Sequence, residues 1–158
     1  MVDRIFDPYG DRPVEVPWRK DYDALPHNHP TAWASRFDLS SWAFFSAHLD
    51  GRLVGGAVVA FRTPGVDLLE GRDDLAVLWD LRVAPEVRRT GVGRSLFAAA
   101  AAWATNRGAS QLKVETQDVN AAACRFYAAR GCELAAVDRS AYPDLPGEAQ
   151  LLWVLALR

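Results

Sequence analysis

Three arginines crowd two glycines in the stretch Val83-Ala-Pro-Glu-Val-Arg88-Arg89-Thr90-Gly91-Val92-Gly93-Arg94-Ser95. That composition suits an anion. Glycine lets the backbone reach φ > 0 and approach a ligand closely, and a helix beginning there points unpaired N–H groups and a partial positive charge outward. Arg88, Arg89 and Arg94 add donors for phosphate oxygens. A glycine turn with solvated arginines is the plainer reading, and a short glycine pattern alone does not decide between the two. Two phosphate-binding patterns are excluded. No Lys-Ser/Thr pair follows the glycines, as a nucleoside-triphosphate loop requires, and Leu96 stands where a dinucleotide turn needs its third glycine.

A second set of residues could move protons. Tyr127 follows Asn120 by seven positions on what reads as one helix, so both can share a face. A phenol with a pKa of about 10 is protonated at neutral pH and can act as an acid. Glu115, near the end of a central strand, and Asp80, in Trp79-Asp-Leu-Arg-Val, are carboxylates that a buried setting would suit to base work. Each has a structural reading beside the chemical one. Tyr127 could be a core aromatic next to Phe126, Asn120 a plain N-cap, and each carboxylate a structural hydrogen-bond acceptor or an ion-pair partner of Arg82 or Lys113. Cys124 reads as a packing residue turned away from Tyr127. His27-x-His29 reads as loop, because no third ligand accompanies it, and no metal site is expected.

The elements that must hold these residues follow from periodicity and turn signals. Five prolines between Pro8 and Pro30 make residues 8–31 read as loop, with a short helix over residues 31–37 that Thr31 would cap. Residues 42–49 and 53–61 flank Asp50-Gly51 as a hairpin, and the apolar run 75–83 is a buried central strand. The alanine-rich stretch 95–107 is a helix ended by Gly108, with Leu96, Ala99, Ala100 and Trp103 toward the core. A strand over 111–116 and a helix over 119–130, with Ala123, Phe126 and Tyr127 on one face, come next. Strands over 132–137 and 150–157 close the chain. The fold class is α+β, a mixed sheet covered by helices, whose strand–turn–helix–strand middle is a right-handed parallel crossover.

The bulk properties narrow the field. With 158 residues the chain fits one domain, divided near residue 41 between a proline-rich segment and a core over 42–158. Eighteen Lys+Arg against twenty Asp+Glu, a net charge of −2, argue against nucleic acid as the main partner. The N-terminus lacks a signal-type apolar region and no 18-residue apolar run occurs, so no membrane association is expected. Two cysteines, Cys124 and Cys132, are too few for a disulfide framework, and a reduced cytoplasmic setting is expected. A homodimer is the default oligomer for such a chain.

The glycine segment 83–96 resembles the acetyl-coenzyme A loop of the GNAT superfamily of N-acetyltransferases. The stretch Asn120-Ala-Ala-Ala-Cys-Arg-Phe-Tyr127-Ala-Ala-Arg-Gly131 is similar to that superfamily's second signature. The resemblance covers about residues 42–158. Within it, Glu115-Thr-Gln-Asp-Val-Asn120, Ala123–Tyr127, Val137-Asp138 and Ala141-Tyr142 are similar to the streptothricin acetyltransferase group. The resemblance implies a mostly antiparallel sheet with one splayed parallel pair at its centre. It further implies an acyltransferase using acetyl-CoA. The backbone of Arg89, Thr90, Gly91, Val92, Gly93, Arg94 and Ser95 would hold the pyrophosphate, with Arg88 beside it. Leu81, Arg82 and Val83 would meet the pantetheine arm, and Asn120, Ala123, Phe126 and Tyr127 would bind the cofactor as well. Tyr127 would be the acid. The Glu115–Tyr127 spacing resembles the glutamate–tyrosine pair of the ribosomal-protein alanine acetyltransferases, which makes Glu115 the base, with Asp80 as the other candidate. The acceptor implied is a primary amine on a small molecule, of streptothricin type. A protein N-terminus or lysine, or a CoA-binding module without turnover, are the alternatives. The aromatics Trp33, Phe37, Trp42, Phe44 and Phe45 and the acids Asp67, Glu70, Asp73, Asp74, Asp138 and Asp144 could serve the acceptor or merely pack and solvate.

Overall fold

A computed structural model describes residues 1–24 and 28–158. Among these the strands are β1 (Val2–Ile5), β2 (Arg12–Trp18), β3 (Ala43–Leu49), β4 (Arg52–Phe61), β5 (Leu75–Val83), β6 (Gln111–Gln117), β7 (Glu133–Asp138) and β8 (Gln150–Ala156). The helices are α1 (Trp33–Arg36), α2 (Val92–Asn106) and α3 (Ala121–Ala129). Strands β1 and β2 form a small antiparallel sheet, and the larger sheet has the order β3-β4-β5-β6-β8-β7. The pairs β3–β4, β4–β5 and β7–β8 are antiparallel, and β5–β6 is parallel. This is the α+β architecture expected of the sequence. The parallel ladder covers only Leu75–Val77 against Gln111–Lys113, whereas β5 stays paired with β4 as far as Val83. Its early end is the splay the family resemblance implies.

The chain divides into two compact units, one of Met1–Trp33 with Glu115–Val154, the other of Ala34–Val114 with Leu155–Arg158. In the second unit the β3–β4 hairpin turns on Asp50 and Gly51, both with φ > 0 (49° and 77°), the conformation that matches strand twist. Helix α2 buries Leu96, Phe97, Ala100 and Ala104. Leu96, Ala100 and Ala104 recur every four residues, so the stripe drifts from the expected Ala99 and Trp103; Ala99 is exposed and Trp103 half-buried. Burying Leu96 and Phe97 stabilises the unit by about 1.5–3 kcal/mol each. Gly108 ends α2, with its N–H on the Thr105 carbonyl at 3.0 Å and the Ala109 N–H on that of Ala104 at 3.0 Å.

The first unit corrects the reading of residues 8–31 as loop. Strand β2 contains Pro13 and Pro17 yet pairs with β1, Val2 opposite Trp18 and Ile5 opposite Arg12. In a two-stranded sheet both strands are edges, so a missing N–H on the outer side breaks no ladder. The segment is anchored by the Phe6 N–H on the Asp118 carbonyl (2.7 Å), by Phe6 edge-on to Trp153 (5.4 Å), and by an ion pair of Asp11 with Arg125 on α3. Pro30–Ala32 form a 3-10 turn capped by His29, not Thr31: the His29 ring accepts from the Thr31 N–H, because an imidazole nitrogen two residues back reaches the first free donor. His27 lies outside the described residues, and among the described residues no three potential ligands gather in a metal-holding group. No helix of the described residues is long and apolar enough to cross a membrane.

Candidate active site

Helix α2 begins at Val92, three residues earlier than expected, because Gly91 adopts φ 96° and caps it from the left-handed region. Nothing lies within 4 Å of a Cβ built on Gly91, so glycine is needed there for backbone conformation and not for space. No side chain caps the helix and its first turn has no acid. The Val92, Gly93 and Arg94 N–H groups therefore stand in the first turn, and only the following one, of Ser95, reaches back to the Gly91 carbonyl (3.0 Å). Arg88, Arg89 and Arg94 are exposed around this terminus. Arg89 is itself left-handed, with φ 63°, and Thr90 Oγ1 donates to the Val87 carbonyl at 2.5 Å, so the turn is fixed by bonds within it. Gly55 on β4 seats the terminus against the sheet. A Cβ there would meet the Arg82 carbonyl at 2.8 Å, Leu96 Cδ1 at 3.1 Å and Val92 Cγ1 at 3.3 Å. Any side chain at 55 would push α2 off β4 and β5.

Strand β5 leads into that turn and carries Asp80, Leu81, Arg82 and Val83. It bulges at Trp79, since Val59 faces Leu78 and Val58 faces Asp80. A bulge bends the strand and re-aims the side chains beyond it. The Trp79 ring packs against Phe37 (5.5 Å) and Trp42 (5.3 Å), and the Trp42 indole donates to Thr63 Oγ1 at 2.8 Å. Trp42 is thus core around the bulge with the half-buried Phe37 against it, and Phe44 is exposed; Trp33 is buried within its own unit. Arg82 Nε donates to both Asp80 oxygens, at 2.8 and 3.1 Å, which is the ion pair weighed for this carboxylate from the sequence. Two of the acids before β5 are engaged structurally. Glu70 pairs with Lys113 at 2.7 Å, and Arg72 and Ser110 hold Asp74 down to about 2, the arginine's hydrogen bond first. Asp138 accepts from the Ser140 N–H and hydroxyl.

The first unit carries the other candidate residues. Asn120 caps α3, its side chain accepting from the Ala123 N–H at 3.2 Å, so the N-cap reading holds. Gly131 stops the helix at φ 89°, with its N–H on the Ala128 carbonyl and the Cys132 N–H on that of Tyr127, both at 3.1 Å. Tyr127 is therefore held at both backbone and ring, buried at 7% exposure with Phe126 edge-on at 5.2 Å. The expected stripe of Ala123, Phe126 and Tyr127 shifts by one position: Cys124 and Tyr127 are the buried residues and the other two are half-buried. Cys124 does not turn away from Tyr127, since residues three apart share a helix face. Burial pushes its thiol up to about 11, and with Thr116 Oγ1 at 3.3 Å it is a packing residue and not a nucleophile.

Glu115 is half-buried on β6 and receives a hydrogen bond of 2.5 Å from the Tyr142 hydroxyl. Lys113, weighed as its ion-pair partner, goes to Glu70 and the Leu68 carbonyl instead. Burial first, then the hydrogen bond and charge of Glu115, hold the Tyr142 phenol far above its ordinary range. Nearby, Lys20 pairs with Glu148, both side chains only 10% exposed, and Tyr22, under the Lys20 ammonium at 5.1 Å, is pushed up to about 12 by burial and then by Glu148. Sequence reasoning placed neither Tyr142 nor the Lys20–Glu148 pair in the site. The Ala141-Tyr142 dipeptide was visible as a family feature, but its contact with a residue 27 positions away was not.

Residues 9–132 match the profile of the acetyltransferase (GNAT) family. The chain belongs to that family. Its GNAT relatives include streptothricin acetyltransferase A of Bacillus subtilis (strain 168), 32% identical over 113 residues, a match covering 70% of this chain. The chain spans only 60% of that relative's length. A crystal structure of nourseothricin acetyltransferase superposes with a TM-score of 0.74 at 28% identity, covering 99% of this chain and 86% of that one. A Bacillus anthracis protein assigned as a streptothricin acetyltransferase, solved in complex with acetyl coenzyme A, reaches 0.64 at 27% identity over 74% of this chain and 64% of its own.

Proposed function

We propose that this GNAT chain works as a single domain that transfers acetyl from acetyl-CoA to a primary amine of a cationic small molecule of the streptothricin class. The observation that carries the reading is the uncapped, acid-free N-terminus of α2 among Arg88, Arg89 and Arg94, which suits the donor's pyrophosphate. Donor binding falls to the backbone N–H groups from Arg89 to Ser95 and to the strand end at Leu81, Arg82 and Val83. Asn120, Ala123 and Phe126 complete the set of donor-binding residues in this reading. The ladder between β5 and β6 ends after Val77, which supports seating the pantetheine arm along the rest of β5.

Acyl transfer then needs a neutral amine, a stabilised carbonyl oxygen and a proton for the leaving sulfur. Glu115 accepts the proton of the incoming ammonium and passes it to solvent. The amine nitrogen bonds to the acetyl carbon as the C–S bond breaks, and Tyr127 gives its proton to the thiolate. The amide's excess proton then goes to the Tyr127 phenolate by way of Glu115, which restores the acid. Asp80 is the weaker base candidate, because Arg82 occupies both its oxygens. Two buried free cysteines, Cys124 and Cys132, fit a reduced cytoplasmic setting. Thiol release from acetyl-CoA, measured against streptothricin, an aminoglycoside, a lysine peptide and an N-terminal alanine peptide, tests the proposal. Turnover with streptothricin is expected. Turnover with peptides alone would move the acceptor class, and CoA binding without turnover by any amine would remove the enzymatic reading.

A further inference from the structure

We propose that Tyr142 is the positioning residue of the Glu115 carboxylate, its hydroxyl fixing Oε1 and leaving Oε2 to meet the amine. This rests on the reading of Glu115 as base. The hydrogen bond is 2.5 Å long, from a phenol on the segment between β7 and β8 to a carboxylate on β6. That segment is not a loose tether. The Leu145 N–H bonds to the Tyr142 carbonyl (2.9 Å) and the Glu148 N–H to that of Leu145 (3.0 Å), two successive turns. Their far end is stapled to Asp118, which donates its N–H to the Ala149 carbonyl (3.0 Å) and accepts the Ala149 N–H on Oδ1 (2.9 Å). Asp118 is buried and ends the stretch from β6 that carries Glu115, so phenol and carboxylate are set from one corner.

The chemistry of the pair suits positioning. A glutamate has three rotatable side-chain bonds, and a base must sit within hydrogen-bond reach of its proton. An ionised carboxylate offers about four acceptor sites on two oxygens, so one phenol leaves the second oxygen available. The groups acting on Tyr142 are Glu115 and Gln117 of β6 and Glu148 of its own segment. Glu148 is in turn paired with Lys20, beside which lies Tyr22. With its phenol held far above the ordinary range, Tyr142 keeps its proton at neutral pH and stays a donor.

The test is Tyr142→Phe, which keeps the ring and loses only the hydroxyl, beside a chain carrying 3,5-difluorotyrosine at 142, a stronger donor of nearly the same shape. Side-chain carboxyl-13C glutamate labelling follows Glu115 by its own signal, assigned by its loss in Glu115→Gln, and needs no acceptor. Removing the donor should shift the Glu115 carboxyl-13C signal at one fixed neutral pH, and the fluorinated residue should shift it in the opposite sense. Tyr142→Phe should lower kcat with streptothricin about tenfold while KM for acetyl-CoA changes less than about twofold, the split expected of a group that aims the base and does not bind the donor. A Glu115 signal unmoved in both chains would overturn the proposal. A moved signal with kcat unchanged would also overturn it, by showing that the contact does not serve catalysis. Undiminished turnover by Glu115→Gln would instead sink the base assignment on which it rests.

Discussion

The glycine-turn residues from Val83 to Ser95 follow one another along the chain and are placed by backbone conformation: a left-handed Arg89, a left-handed Gly91 and a helix start without a side-chain cap. Glu115, Tyr142, Glu148 and Lys20 come together in the opposite manner, from segments as far as 128 positions apart, through side-chain bonds. On the proposed function, the first arrangement would recognise a group common to every donor molecule, for which backbone N–H groups suffice. The second would hold a carboxylate for one acceptor class, and side chains are the parts that can be exchanged without changing the fold. The contrast implies that substitutions in the second group spare donor binding, and that substitutions in the first spare acceptor choice.

Four substitutions would break or sharpen this division. The largest effect is expected from Glu115→Gln, which should lower kcat by about 10³-fold, within the range for loss of a general base, and leave CoA affinity by calorimetry unchanged. Lys20→Met comes next. It strands the Glu148 carboxylate, 10% exposed, without its cation, which should cost about 3 kcal/mol and lower Tm by about 10 °C in a thermal scan. Adding Glu148→Gln should recover most of that loss if the pair acts as a unit. Tyr127→Phe should lower kcat by about 10²-fold with KM for acetyl-CoA nearly constant, the signature of an interaction made in the transition state. The smallest effect is expected of Gly91→Ala. Holding φ 96° with a side chain costs about 1 kcal/mol, so CoA should bind about fivefold more weakly with acceptor preference unaltered.

What the sequence revealed follows the same division. Strand β5 runs over the residues its apolar pattern predicts, and the Asp50-Gly51 turn is where the dipeptide puts it, because both are set by local patterning. The helix after the glycine turn starts at Val92 and not Ser95, since glycine capping from φ > 0 leaves no polar signal to read. Strand β2 was hidden by Pro13 and Pro17, which forbid a central strand but not an edge. The bulge at Trp79 and the approach allowed by Gly55 depend on how β4 and β5 are registered, which no single segment encodes. Glu115 and Tyr127 stood out by type and spacing. The contact of the Tyr142 hydroxyl with Glu115 joins residues 27 positions apart, which no local pattern announces.

The central claim is that one group of residues holds the donor while the other activates a cationic amine. Its most direct test is to incubate the wild-type chain and Glu115→Gln with acetyl-CoA and streptothricin, follow the product by mass spectrometry, and measure CoA affinity on the same samples. The account expects a singly acetylated streptothricin from the wild type, almost none from Glu115→Gln, and equal CoA affinity in both. Equal product from the two chains, or tight CoA binding by the wild type with no acetylated product, would contradict it.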